Sequence, residues 1–124
     1  METIKSSADI SNLFSAGRRL KTPYLTLIVG ERGKSENNAG MKQHDLEGRV
    51  AFIAGKKNGN AVWRNSAKRR MRAICHELGG PWAGYDVIFL AKSSITGANY
   101  SKVLNACDKA LDKSSLKDGG RVDV

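Results

Sequence analysis

The sequence predicts an α+β (α/β sandwich) fold, with helices packed on a sheet of three to four strands in a single domain. Three observations carry that reading. Segments near residues 8–16, 61–78 and 97–111 repeat apolar side chains at three- and four-residue steps, as amphipathic helices do. Between them lie strand-length runs of aliphatic and β-branched residues at 24–29, 49–54 and 85–91. The 124 residues suffice for one hydrophobic core and show no internal repeat.

Taken in order, Ser6 and Ser7 precede a short segment in which Ile10, Leu13 and Phe14 share a face and Gly17 ends the pattern. This predicts a helix of two to three turns with a serine cap. Pro23 opens the first strand, placing Leu25, Leu27 and Val29 on one face and Tyr24, Thr26 and Ile28 on the other. Residues 30–48 are polar and aperiodic, which predicts a long loop, mobile at its tip, with room for one further short strand. GERGKS at 30–35 ends like a phosphate-binding loop. The place of that motif's first glycine is taken by Ile28 inside the strand, so the nucleotide reading is set aside. His44 and Asp45 have no further metal ligands near them in sequence. The second strand leads into a basic stretch, Gly79, Gly80 and Pro81 stop the helix that follows, and YDVIFLA reads as a strand covered on both faces. Thr96 is the expected cap of the last helix, whose stripe is Tyr100, Val103, Leu104, Cys107 and Leu111. The expected domain spans 1–114, with a polar, fraying tail at 115–124.

Charge is concentrated. The formal net charge is +9, and residues 56–72, KKNGNAVWRNSAKRRMR, hold seven basic side chains and no acid, leaving +2 for the rest. Gly59 suits a tight turn and Asn60 an N-cap. With about 100° per residue, Trp63, Ala67, Met71, Ile74 and Leu78 form an apolar stripe. Asn65, Lys68, Arg69 and Arg72 lie opposite, and Arg64 and Arg70 flank the stripe. Solvated helix faces mix signs to gain pairs one turn apart; an acid-free face repels itself unless an anion joins it. Its arginines favour bidentate phosphate contacts, so the expected partner is a nucleic acid. A strand where a helix-turn-helix needs its companion helix argues against DNA. A helix docked on an acidic membrane is disfavoured because the core needs the apolar stripe. Phe14, Tyr24 and Trp63 are the aromatics that could stack on bases. No apolar run reaches membrane-spanning length, the N-terminus has no secretory core, and Cys75 and Cys107 are unpaired in sequence, which together predict a cytoplasmic protein. Paired carboxylates and a Cys-His-Asp set are both missing, so no catalytic constellation is predicted, and His76 beside Cys75 is incidental.

The basic stretch closely resembles the signature of the bacterial ribonuclease P protein family, roughly Lys-Lys-x-Gly-Asn-Ala-Val-x-Arg-Asn-x-x-Lys-Arg-x-x-Arg. Lys56, Lys57, Gly59, Asn60, Ala61, Val62, Arg64, Asn65, Lys68, Arg69 and Arg72 stand where that pattern asks, and the flanking elements follow the family's order to about Ser114. The resemblance implies an αβββαβα fold with a left-handed β-α-β crossover, against the usual right-handed preference. It implies a subunit of a ribonucleoprotein endoribonuclease whose catalytic centre and Mg²⁺ ions belong to the RNA subunit, with no cofactor in this chain. Precursor tRNA is the second implied partner, cut to remove its 5′ leader. Lys56, Lys57, Asn60, Arg64, Asn65, Lys68, Arg69, Arg70 and Arg72 become the RNA-binding candidates. Ile10, Phe14, Tyr24, Thr26 and Ile28 become the leader cleft. Relatives commonly carry aromatics at the places of Ile10 and Ile28, so here the resemblance implies apolar contact there and not base stacking. The other reading is a stand-alone, ribosome-associated RNA-binding module.

Overall fold

The computed structural model describes residues 3–32 and 46–112. Its elements are α1 (Ser7–Ala16), β1 (Arg18–Lys21), β2 (Leu25–Glu31), β3 (Arg49–Ile53), α2 (Ala61–Glu77), β4 (Tyr85–Ala91) and α3 (Tyr100–Asp112). This is the expected αβββαβα order. One four-stranded sheet runs β1-β2-β4-β3. β1 and β4 each pair antiparallel with β2, and β3 pairs parallel with β4 across the α2 connection. The tip of the expected long loop, including the second half of GERGKS and both His44 and Asp45, lies outside the described residues, as does the expected tail.

Among the described residues the fourth strand lies ahead of Pro23; the middle of the long loop, where a further short strand is expected, lies outside them. Arg18-Arg19-Leu20-Lys21 forms the sheet edge with only Leu20 half-buried. One apolar residue in four leaves no alternation to read, and charged side chains are what an edge strand carries to stay unpaired with other chains. Thr22 closes the β1–β2 turn: its hydroxyl donates to Leu25 O (2.7 Å) and accepts from the Leu25 N–H (3.0 Å).

The sheet is covered on both faces, which is why YDVIFLA is almost continuously apolar. Leu25, Leu27, Val50, Val87 and Phe89 pack with Ala67, Met71, Ile74 and Cys75 of α2 and Val103, Cys107 and Leu111 of α3. On the opposite face Ile28, Ala51 and Ile88 pack with Leu13 of α1 and Ile4. Ser6 caps α1, its hydroxyl accepting from the Asp9 N–H. Glycines 79 and 80 end α2, with Gly79 at φ +89°. Gly80 N–H donates to Cys75 O (2.9 Å) and Gly79 N–H to His76 O (3.2 Å), the paired bonds of a Schellman stop. The α3 cap is Asn99 and not Thr96: Asn99 Oδ1 accepts from the Ser101 N–H (2.8 Å), while residues 93–95 form a separate 3₁₀ turn that ends at Thr96.

Arg49 ties α1 to the sheet. Its guanidinium donates from Nε and Nη2 to both carboxylate oxygens of its β4 partner Asp86 (2.9 and 2.7 Å), and Nη1 lies 3.4 Å from Asp9 Oδ2 on α1. The Asp86 hydrogen bond raises the Arg49 pKa above its ordinary value, against the opposing pull of burial.

Both cysteines are buried free thiols, and burial pushes Cys75 up to about 11 and Cys107 up to about 12. The native chain is therefore expected to react far more slowly with a thiol-specific chromophoric reagent at pH 8 than the urea-unfolded chain, which should titrate both thiols at once. The same shifts set a sign for alkaline stability. Above the ordinary thiol pKa of about 8.5 the unfolded chain releases protons that the native chain holds, so stability falls with pH from there toward 11–12. Denaturant titrations at pH 7, 9 and 10 check this; a rise in stability above pH 9 would contradict the buried placement.

Candidate nucleic-acid interface

Helix α2 is built as a two-faced element. Asn60 is its N-cap, with the side-chain oxygen accepting from the Trp63 N–H at 3.0 Å. Ala67, Met71 and Ile74 are fully buried, and Trp63 and Leu78 half-buried, so the apolar stripe lies against the sheet. Gly59 has extended backbone (φ 172°), and its role is close approach: a Cβ there would meet the Trp63 ring at 2.7 Å. The sequence suggested a tight turn at Gly59; the requirement is instead the indole lying over it. Trp63 Nε1 is buried with no hydrogen-bond partner among the described residues.

Opposite the stripe, Lys56, Lys57, Asn60, Asn65, Arg69 and Arg72 are exposed, with Arg64 and Lys68 half-buried beside them. Eight of the nine candidates on this stretch are thus exposed or half-buried, with no acid between them in the sequence. The 3₁₀ turn Lys56–Asn58 brings the two leading lysines to the start of α2, where the helix dipole adds to their positive field. Arg72 is steadied by lying 5.7 Å over the ring of Phe52 on β3. Val62, 74% exposed, is a large apolar side chain open to solvent on the same turn.

Arg70 is placed differently. Its Nη1 donates to Ile95 O (2.8 Å) and Ala98 O (2.6 Å), and its guanidinium sits 5.9 Å from the Tyr100 ring. It fastens α2 to the start of α3. Its wheel position beside the stripe, on the side facing α3, puts those carbonyls within reach, which no residue count foretells. Arg70→Ala is expected to lower stability by about 1–3 kcal/mol while changing RNA affinity less than Arg69→Ala. Paired denaturation and binding titrations separate the two.

The expected cleft residues divide. Thr26 and Ile28 share the α1-side face with their cross-strand partners. Ile28 is fully buried in the cluster with Leu13, so it forms floor under α1 and not an open wall. Tyr24 precedes β2 and packs against the opposite core, because the Thr22–Pro23 turn takes it out of the strand alternation. Ile10 and Phe14 are half-buried on α1. On the α1-side face the register sets Lys21, Thr26, Leu90 and Ile53 in one cross-strand row, in which Thr26 is buried, Leu90 and Ile53 half-buried and Lys21 exposed. Leu90 and Ile53, half-buried, were missed because register decides them. Arg19 was missed as well: it lies 5.7 Å over the Phe14 ring and donates from Nη2 to Phe14 O at 3.1 Å. The face therefore offers an apolar floor with Arg19 and Lys21 at one end.

Among the described residues no group of three or more His, Cys, Asp or Glu side chains is placed to hold a metal, and no helix is long and apolar enough to cross a membrane. α2 follows β3 and a single 3₁₀ turn, so it has no companion helix of the helix-turn-helix kind.

Fold and site together define a small basic α+β protein whose candidate interface is an acid-free helix face. The comparisons with known proteins agree on one family. The family model described as Ribonuclease P matches residues 1–115. The ribonuclease P protein component of Natranaerobius thermophilus is 32% identical over 116 residues, covering 92% of this chain and 90% of the relative. Among solved structures, the Staphylococcus aureus RNase P protein superposes with a TM-score of 0.73 at 19% identity, covering 94% of this chain and 97% of that one. The Thermotoga maritima RNase P protein gives 0.69 at 19% identity, covering 91% and 97%. The chain belongs to the ribonuclease P protein family. It is thereby a protein component of a ribonucleoprotein endoribonuclease in which catalysis lies in the RNA; the comparisons lend no support to a stand-alone module.

Proposed function

We propose that this chain anchors the ribonuclease P RNA through the exposed face of α2 and positions the 5′ leader of precursor tRNA against the α1-side face of the sheet. The observation that carries the reading is the α2 face itself, where Lys56, Lys57, Arg64, Lys68, Arg69 and Arg72 stand without an acid between them. Such a surface lowers the repulsion between catalytic RNA and substrate, an effect that falls steeply with salt. The leader lies over the half-buried Leu90 and Ile53 beside Ile10 and Phe14, with the buried Thr26 in the floor beneath, held by apolar contact, with one aromatic and the Arg19 plane for stacking. Mg²⁺ is assigned to the RNA subunit, as the resemblance to the ribonuclease P protein family implies. The protein's part is binding and orientation in the cytoplasm, while the RNA cuts.

The test combines the protein with a cognate RNA subunit at low Mg²⁺ and measures cleavage of precursor tRNA. Cleavage is expected to be faster with protein than without, and to weaken as salt rises. Equal rates with and without protein would overturn the proposal.

A further inference from the structure

On the leader reading, the stance of α1 over the sheet governs substrate binding, because Ile10 and Phe14 come from the helix while Leu90 and Ile53 come from strands. Two features fix that stance. Gly30 on β2 lies beneath Leu13, and a Cβ there would meet Leu13 Cδ1 at 2.4 Å, so α1 settles where the sheet offers no side chain. In the same cross-strand row Gly30 pairs with Asp86 and Asp86 with Arg49, whose Nη1 reaches Asp9, one helical turn before Leu13. Asp9 and Leu13 thus form the ridge of α1 that meets the sheet, and Ile10 and Phe14 the ridge beside it. Asp86 takes Arg49 Nε and Nη2 at 2.9 and 2.7 Å, and Arg32 Nε lies 3.8 Å from Asp86 Oδ1 as a second cation. The guanidinium plane is therefore set by β4, and Nη1 is offered to α1 in a fixed direction. Asp86 stands four residues along β4 from Leu90, about 13 Å at about 3.3 Å per residue, so the network acts on the leader row only through the helix.

We propose that Arg49 is a positioning residue for precursor tRNA: held by Asp86, it holds Asp9 down and sets the gap between the Ile10–Phe14 ridge and Leu90 and Ile53 in which the leader binds. The inference rests on the leader reading above. Joining β3 to β4 needs only Arg49 and Asp86. The further arm to Asp9, whose side chain is 45% exposed, adds little to stability, and what it fixes is the orientation of a helix.

The experiment measures holoenzyme affinity for precursor tRNA and for leaderless mature tRNA, with wild-type protein, Asp9→Asn, Asp9→Glu and Arg49→Lys. Removing an acid from a basic protein would, by charge alone, tighten the binding of both RNAs. Asp9→Asn should instead weaken precursor tRNA by about threefold to fivefold, the limit that a half-exposed ion pair sets, and leave mature tRNA unchanged. Arg49→Lys keeps the charge without the guanidinium fork and should show the same split, whereas Asp9→Glu keeps the carboxylate and should bind as wild type. Spin labels on Ser11→Cys in α1 and Ser93→Cys after β4, both exposed positions, should report a broader distance distribution in Asp9→Asn, with a thermal midpoint within about 5 °C of wild type. Equal or tighter precursor binding by Asp9→Asn, or an unchanged label distribution, overturns the positioning role while the leader reading stands. If wild type itself does not favour precursor over mature tRNA, the leader reading fails.

Discussion

Replacing Met71 with alanine is expected to lower the free energy of unfolding by about 2–5 kcal/mol, measured by urea or thermal denaturation. Met71 is fully buried in the cluster where α2 meets β2, β3 and β4. Removing its thioether leaves a cavity whose walls include Phe89, Ile74 and other side chains already fixed by packing. A domain of this size holds about 5–15 kcal/mol in all, so the midpoint should fall by about 10 °C or more. Met71→Leu nearly conserves volume and should cost less than about 1.5 kcal/mol. Both folded variants should keep the wild-type salt slope for RNA, because Met71 reaches the opposite side of the helix from the phosphate-facing residues. A loss under about 1 kcal/mol for the alanine variant would mean that the apolar stripe is not what anchors α2.

That stripe was legible because a helix with one buried and one charged face writes its period into the sequence. Strand β4 was legible for the converse reason, since coverage on both faces removes polar residues from YDVIFLA. What the sequence left open depends on partners far away in the chain. β1 shows no pattern because a sheet edge buries only Leu20. Arg70 resembles its neighbours until Ile95 O and Ala98 O come within 3 Å of it. Tyr24 follows the strand alternation on paper, yet the Thr22 turn hands it to the other core. Gly59 looked conformational and proved steric, because Trp63 packs over it from the next turn. The cleft suffered most: Leu90 and Ile53 join Thr26 only through a register that pairs residues 64 and 37 positions apart.

The largest functional effect should come from replacing Arg64, Arg69 and Arg72 together with alanine. Affinity for the RNA subunit is expected to fall about 100-fold at moderate salt, with the slope of log affinity against log salt shallower by about 2–3. The argument is electrostatic: each arginine that meets a phosphate releases counterions, and that release sets the slope. Stability should change little. Arg69 is exposed and Arg64 half-buried, and Arg72 gives up a contact over Phe52 worth about 0.5–1 kcal/mol, offset by relief of repulsion along an acid-free helix face. The matching triple lysine variant keeps the charge and loses the planar fork. It should retain most of the salt slope while still binding more weakly, which separates bidentate recognition from charge alone. A triple alanine variant that bound RNA with unchanged affinity and slope would move the interface off α2 altogether. One that unfolded under mild conditions would show the face to be structural.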